Sequence, residues 1–203
     1  YTTTLLRRAV LLSESDPAKA TVDLNAVIQL ERDNGAAWLQ RGLCYSRTGD
    51  TDRALADLNR ACRLLSKDYR PWLERGRILR TLHRSDDAIS DLSQAAKLAP
   101  KQTECCLELG LAFLDASSID AAEAHVLRAE KLAPDDGNVQ FALKQIEAAR
   151  GHRTVAVETF QNLLDDADTN SPEDVATARA RLEKQLHGSD QSKTEPTQPE
   201  QPQ

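Results

Sequence analysis

The sequence predicts an all-α protein, a solenoid of about five helix–turn–helix repeats followed by a C-terminal capping helix. Three observations predict this fold class. The chain matches itself when it is shifted by 34 residues, apolar residues within each repeat recur at helical spacing, and Gly, Asp or Pro separate the apolar stretches. A single helical pair cannot bury two apolar stripes, so neighbouring pairs have to stack.

The repeat is clearest in three consecutive segments, 35–68, 69–102 and 103–136, which align without a gap. Segments 1–34 and 137–170 match more weakly. The aligned positions are Trp38, Trp72 and Cys106; Gly42, Gly76 and Gly110; Tyr45, Leu79 and Phe113; Ala54, Ala88, Ala122 and Ala156; Leu58, Leu92, Val126 and Phe160; and Ala61, Ala95 and Ala129.

Small residues set the spacing of the two helices in each repeat. Gly42 and Ala54 lack bulk, so the helix axes can approach closely, and Trp38 and Tyr45 close the sides. Gly49 is expected to end the first helix in a left-handed conformation, and Asp50 to cap the next helix.

This period and this order of residue types resemble the tetratricopeptide repeat family. The resemblance implies a right-handed α-solenoid over residues 1–187. It has ten helices in five antiparallel pairs, then a capping helix. Residues 188–203 are predicted to be a disordered polar tail, since they lack apolar content. The implied repeats are 1–34, 35–68, 69–102, 103–136 and 137–170, with the cap at 171–187.

The resemblance further implies that the first helix of each repeat lines a concave ligand groove. A partner segment with acidic residues and apolar anchors would fit leucines flanked by arginines. Glu104 and Asp115 would then repel its acidic part and set its direction. The groove residues carried over from the family are Leu39, Leu43, Arg47, Arg70, Leu73, Arg77, Arg80, Leu107 and Leu111.

One branch of the family grips the terminal carboxylate of heat-shock chaperones with a clamp of Lys, Asn, Asn, Lys and Arg. Only Arg70 keeps the charge of the clamp here, so the sequence predicts that the chain is not a chaperone co-factor. The clamp places hold Leu5, Ala9, Gln40, Arg70 and Glu74.

Charge is unevenly distributed along the chain. The net charge is −6, but residues 35–102 carry +5 and residues 103–170 carry −8. The split suggests a bipolar surface with partners distinguished by sign, and ordinary solvated helix faces are the alternative. The acidic balance disfavours nucleic acid as a partner.

A second pattern pairs opposite charges inside the first three repeats. Arg and Asp recur together at fixed places, which predicts contacts between the first and second helix of a repeat. Coincidental surface charge is the alternative. The predicted pairs are Arg7 with Asp23, Arg41 with Asp57, and Arg75 with Asp91, and the fourth and fifth repeats carry Leu109 with His125 and Leu143 with Thr159 at these places.

No catalytic or phosphate-binding motif appears, so an enzyme is not predicted, and neither a cofactor nor a metal is implied. Cys44, Cys62, Cys105 and Cys106 lack zinc-ligand spacing and are interpreted as buried apolar residues, with a redox role for the vicinal pair as the alternative. Free cysteines favour a reducing, cytoplasmic compartment. A membrane-anchored or exported context stays open because the sequence begins at Tyr1 without Met.

Two classes of function remain. The first is a non-catalytic scaffold whose groove binds a peptide or helix of a partner protein. The second is a structural or self-assembling spacer module of a larger, possibly membrane-tethered, protein.

Overall fold

The computed structural model describes the backbone of residues 1–166 and the side chains of residues 1–157. Within those residues the chain forms helices and no strands, which confirms the all-α prediction. The predicted capping helix at 171–187 and the predicted tail at 188–203 lie outside the described residues. The helices are α1 (Thr2–Ser15), α2 (Pro17–Leu30), α3 (Gly35–Arg47), α4 (Thr51–Leu64), α5 (Tyr69–Thr81), α6 (Ser85–Leu98), α7 (Thr103–Asp115), α8 (Ile119–Leu132) and α9 (Gly137–Asp166).

The first eight helices form four pairs that stack as a helical-repeat solenoid. The most extensive contacts are within the pairs α1–α2, α3–α4, α5–α6 and α7–α8, and the second helix of each pair packs on the first helix of the next. Successive first helices also touch: α1 contacts α3, α3 contacts α5, and α5 contacts α7. First helices therefore share one continuous surface.

Short polar side chains begin several of these helices. The side chains of Asp16, Asn34, Asp50 and Asp68 each accept a hydrogen bond from a backbone N–H in the first turn of α2, α3, α4 and α5. A cap of this kind stabilises a helix by about 1 kcal/mol. The cap at Asp50 confirms the sequence prediction.

The turn inside a repeat needs one residue with a positive φ. Gly49 has φ +80°, as predicted, and the residues one and two periods later, His83 and Ser117, take φ of 56° and 59°. The fold therefore imposes a left-handed residue at this place even where the side chain disfavours it.

Close helix packing explains the glycine inside each first helix. A Cβ atom added at Gly110 would lie 2.5 Å from Val126 Cγ2 and 3.1 Å from the carbonyl oxygen of Ala122. A Cβ atom at Gly76 would lie 2.6 Å from Leu92 Cγ. The recurring spacing of glycines within the chain is thus a packing requirement.

The contacts divide the chain into two segments, Tyr1–Ile146 and Glu147–Gln203. Described by itself, the first segment holds α1–α8 and the start of α9, where Val139, Ala142 and Ile146 are buried. No described helix is both long and apolar enough to cross a membrane.

The prediction of a helical pair in the fifth repeat is wrong. The chain remains helical through Gly151, where a turn was expected, so α9 is one helix of 30 residues. Among the described residues nothing lies within 4 Å of a Cβ atom added at Gly151, so no described helix packs closely against this glycine.

Candidate functional site

Buried ion pairs join the two helices of the second and third repeats. Arg41 Nε donates to Asp57 Oδ2 at 2.6 Å and Arg41 Nη2 donates to Oδ1 at 2.8 Å. Arg75 binds Asp91 in the same two-pronged way, with both bonds at 2.6 Å. The side chains of Asp57 and Asp91 are 6% and 8% exposed. Both predicted pairs are confirmed.

The first repeat uses a different arginine from the predicted one. Arg8, not Arg7, donates to Asp23, at 2.6 Å from Nε and 2.5 Å from Nη2. Arg8 stands where the following repeats carry the packing glycine, a place that faces the second helix directly. A long side chain at that place reaches the carboxylate first.

Each central arginine also binds the preceding repeat. Arg41 Nη1 donates to Asn25 Oδ1 at 2.7 Å, and Arg75 Nη1 donates to Asn59 Oδ1 at 2.5 Å. Sequence reasoning missed these asparagines, although they lie one period apart and two residues after the paired aspartates.

Aromatic rings flank the same arginines. Arg41 Cζ lies 4.8 Å from the ring centroid of Trp38 and 5.7 Å from that of Tyr45, while Arg75 Cζ lies 5.0 Å from the Trp72 centroid. These are cation–π distances. Each arginine is therefore held by an aspartate, an asparagine and an aromatic ring, and it connects two repeats. We call Arg41 and Arg75 with these partners the arginine ladder, and its role is structural because its groups already bind one another.

The ladder stops at the fourth repeat. Leu109 replaces the arginine and is buried in a cluster with Leu92 and Ala95. His125 replaces the aspartate and stacks on Phe113, with ring centroids 5.4 Å apart and planes 7° apart. Burial, and then the charge of Arg128, lower the pKa of His125. An apolar contact thus replaces the ion pair.

The groove face is the surface formed by α3, α5, α7 and the start of α9. Of the five leucines predicted to line it, Leu39 and Leu73 are each only 2% exposed and belong to the core. They cannot contact a partner as the sequence analysis expected, because the helices of neighbouring repeats cover them. Leu107 is 8% exposed, and Leu43 and Leu111 are half-buried.

All four predicted groove arginines have partners in the chain. Arg47 is exposed and donates to the backbone oxygen of Ser13 at 3.3 Å, and Arg70 is exposed but holds Asp68 through bonds of 2.5–3.0 Å. These two arginines still reach solvent. The other two are more deeply placed.

Arg77 and Arg80 belong to what we call the acidic groove cluster: Glu74, Arg77, Arg80, Glu104, Glu108 and Asp115. Arg77 Nε donates to Glu108 Oε1 at 2.9 Å, Nη1 donates to Glu74 Oε1 at 3.3 Å, and Nη2 donates to Glu104. Arg80 lies 3.8 Å from Glu108 Oε2 and 3.6 Å from Asp115. Four carboxylates therefore share two guanidinium groups.

Burial shapes the charges in this cluster. Burial alone would lower the pKa of Arg77, but Glu108, Glu104 and Glu74 more than compensate and raise it. Burial raises the pKa of Glu74; Arg77 opposes this, and Glu104 and Glu108 add to it. The uneven charge of the sequence is thus partly neutralised between the third and fourth repeats.

A cavity of about 530 Å³ opens beside the cluster, between α5, α7 and the start of α9. Leu107 and Leu111 form its apolar wall, and Arg77, Glu104, Glu108 and Asn138 form much of the rest. The cavity brings together three of the nine predicted groove residues. The arrangement can bind an apolar group next to charge.

The chain belongs to the tetratricopeptide repeat family. Two family profiles described as tetratricopeptide repeat match residues 73–137 and 35–78, which together span about half of the 203 residues. No curated protein sequence matches the chain. The family and the fold support a protein-interaction scaffold.

Solved structures share the fold at low sequence identity. MamA from Desulfovibrio magneticus RS-1 is 16% identical, with 96% of this chain and 97% of that chain covered and a TM-score of 0.62. A tetratricopeptide repeat protein from Parabacteroides merdae is 18% identical, covering 97% and 81%, with a TM-score of 0.66. The first such domain of Spaghetti (RPAP3), solved with the HSP90 peptide SRMEEVD bound, is 19% identical, covering 58% and 93%, with a TM-score of 0.56.

Proposed function

We propose that this protein is a non-catalytic scaffold whose groove face binds a peptide or helix of a partner protein. The observation that carries the proposal is the 530 Å³ cavity on the face of the first helices, where half-buried Leu111 stands beside charged side chains. Burying such a leucine fully stabilises a complex by up to about 1.5–3 kcal/mol. Tetratricopeptide repeat proteins generally lack catalytic activity, which agrees with this role.

The solved complex of the Spaghetti domain supports peptide binding as a mode available to this fold. The same peptide is not expected here, because the clamp residues of chaperone-binding relatives are absent. Ala9, at one clamp place, is fully buried and offers no donor. The partner of this chain therefore has another chemistry.

We place the acidic part of that partner at the second and third repeats. Arg47 and Arg70 have side chains that are 40% and 57% exposed, so a partner carboxylate can reach them. Arg77 and Arg80, which the sequence analysis also assigned to this task, are occupied by Glu74, Glu104, Glu108 and Asp115. The acidic contact would therefore be confined to one end of the groove face.

The test begins with affinity capture on the full chain and on a Leu43→Glu/Leu111→Glu variant. A protein captured by the wild type and then purified should bind the variant at least about tenfold more weakly, since charge replaces buried apolar area. Val22→Glu/Leu127→Glu is the control, because both residues are exposed on second helices. Equal affinity for all three proteins would refute groove binding.

The acidic contact has its own test. Arg70→Glu should weaken binding of that purified partner more at low salt than at high salt, because salt screens exposed charges. Arg63→Glu, an exposed position on α4, is the matched control. A salt-independent loss would argue against an acidic partner segment.

Self-assembly is a second candidate, favoured by one observation. Val10 is 44% exposed and Leu11 is 80% exposed on α1, whereas the residues one to three periods after Val10 are all buried: Cys44, Ile78 and Ala112. Sedimentation velocity over a concentration series would show association that Val10→Lys/Leu11→Lys removes. A constant sedimentation coefficient would leave the scaffold as the function.

A further inference from the structure

Resting on the proposed groove function, we infer that the cavity between α5, α7 and the start of α9 receives an arginine or lysine side chain of the partner. This reverses the sequence expectation for this end of the groove face, where arginines were predicted to capture carboxylates. The partner segment would carry an acidic part at the second and third repeats and a basic anchor at the fourth.

Charge complementarity gives the first argument. The acidic groove cluster holds four carboxylates and two guanidinium groups, so it keeps an excess of negative charge. The charged groups that line the cavity itself are Arg77, Lys101, Glu104, Glu108 and Asp136, so carboxylates exceed cationic groups there by one. A cationic side chain is therefore attracted, and an acidic one is repelled.

Hydrogen-bond capacity gives the second argument. Arg77 already donates to three carboxylates, and Arg80 remains 3.8 Å from Glu108 Oε2. That oxygen is buried and has no hydrogen-bond donor, and the Glu108 side chain as a whole is 13% exposed. A buried carboxylate oxygen without a donor costs free energy. Because Glu108 lines the cavity, a rotation of its carboxylate would present this oxygen to a guanidinium or ammonium group of a partner.

The cavity walls give the third argument. Leu107 and Leu111 line the same space as Glu104 and Glu108. Arginine and lysine combine an apolar stem with a cationic head, so the stem can pack on the leucines while the head meets the carboxylates. A small inorganic cation would use only the carboxylates, and a purely apolar side chain would leave Glu108 unsatisfied.

The experiment selects peptides rather than assuming one. Random 12-residue peptides displayed on phage are panned on the full chain. Only peptides that bind the wild type and fail to bind the Leu43→Glu/Leu111→Glu variant are kept. The inference expects these peptides to share an arginine or lysine. Replacing that residue with glutamine in a synthetic peptide should weaken binding about 10- to 100-fold, as expected for a charge-assisted hydrogen bond.

A matched pair of variants locates the contact. With the protein variant Glu104→Gln/Glu108→Gln, replacing the basic residue of the peptide by glutamine should change the binding affinity little. With the protein variant Asp52→Asn/Asp86→Asn, the same replacement in the peptide should weaken binding as much as it does with the wild type. Both variants remove two negative charges, and Asp52 and Asp86 are exposed at the starts of α4 and α6. Equal effects in the two variants would overturn the inference.

A second variant guards against misfolding of the glutamine variant. Asn138 is exposed at the start of α9 and lines the cavity, so Asn138→Arg supplies an internal guanidinium that competes for the same carboxylates. This variant should weaken the binding of peptides that carry the basic residue and leave the binding of their glutamine versions unchanged. Groove-binding peptides without a basic residue would refute the anchor alone, whereas the absence of any groove-binding peptide would refute the proposed function as well.

Discussion

Arg8 binds Asp23 through two hydrogen bonds, although the arginine side chain is 61% exposed and the aspartate side chain is 8% exposed. The equivalent bonds in the next repeat join Arg41, 16% exposed, to Asp57, 6% exposed. The geometry is the same in both pairs, but only the second pair is shielded on both sides. Shielding, rather than bond length, should decide how much each pair stabilises the fold.

The three arginines should therefore rank in their effect on stability. Arg41→Met should lower the free energy of unfolding by about 3 kcal/mol, because it leaves a buried Asp57 unpaired. Arg8→Met should cost less, since water can solvate the exposed end of its pair. Arg7→Met should have no measurable effect, because Arg7 is exposed and Asp23 is already bound by Arg8. Urea unfolding of the three variants measures this order, and a loss at Arg7 equal to that at Arg8 would restore the original prediction.

The fold could be predicted because its causes repeat in the sequence. A glycine opposite a leucine or valine recurs every 34 residues, as do helix caps such as Asp16 and Asp50, and a repeated pattern is hard to produce by chance. The fifth repeat was mispredicted for the same reason. Gly151 matches the turn glycine of the pattern, but the backbone stays helical through it in α9.

The candidate site was harder to predict because it depends on contacts between repeats. The position of Arg77 within its repeat assigned it to the groove face, but that position could not show that Glu108, 31 residues later, binds the same guanidinium. Leu39 and Leu73 occupy groove places yet are covered by neighbouring helices. The exposure of a side chain is set by the next repeat, which a pattern within one repeat does not describe.

Two glycines should respond in opposite ways to the same substitution. Gly110→Ala should destabilise the protein by about 1–3 kcal/mol, because the added methyl group meets Val126 and the backbone at Ala122. Gly151→Ala should stabilise α9 by up to about 1 kcal/mol, because alanine is the better helix former and no described residue lies within 4 Å of the added methyl group. Thermal unfolding followed by circular dichroism compares them. A destabilised Gly151→Ala protein would indicate a left-handed turn at that residue after all.

The end of the arginine ladder can be tested by extending it. Leu109→Arg alone should destabilise the fourth repeat, because it places an unpaired charge in the core site of Leu109. Adding His125→Asp should recover about 2 kcal/mol or more, since the new pair would copy Arg75 and Asp91. A double-mutant cycle in urea gives the coupling energy. A coupling of zero would show that the fourth repeat cannot hold the pair geometry.

The four cysteines should be unreactive in the folded protein. Burial raises the pKa of Cys62 to about 11 and that of Cys105 to about 12, and it raises the pKa of Cys44 and Cys106 as well. The thiolate is the reactive form, so modification by Ellman's reagent at pH 8 should follow local or global unfolding. All four should react at once in denaturant. Rapid reaction of one thiol in the native state would point instead to the redox role left open for the vicinal pair.

Glu74 should make the protein less stable as the pH rises. Burial raises its pKa in the folded state above the ordinary value of 4.5, with Arg77 opposing and Glu104 and Glu108 adding to the rise. Between the two pKa values the folded protein holds more protons than the unfolded chain, so stability falls with increasing pH. Glu74→Gln removes this loss, and its advantage over the wild type should grow from below pH 4.5 to neutral pH.

Asp68 provides the control of opposite sign for that measurement. Hydrogen bonds from Arg70 lower the pKa of Asp68 below its ordinary 3.8, so its contribution is present above that value and is lost as the pH falls. Asp68→Asn should therefore lose stability relative to the wild type at neutral pH and match it in acid. Urea unfolding at a series of pH values gives both differences. If the Glu74→Gln difference is flat while the Asp68→Asn difference changes, Arg77 fully balances the burial of Glu74 and its repulsion by Glu104 and Glu108, and the pKa of Glu74 is not raised.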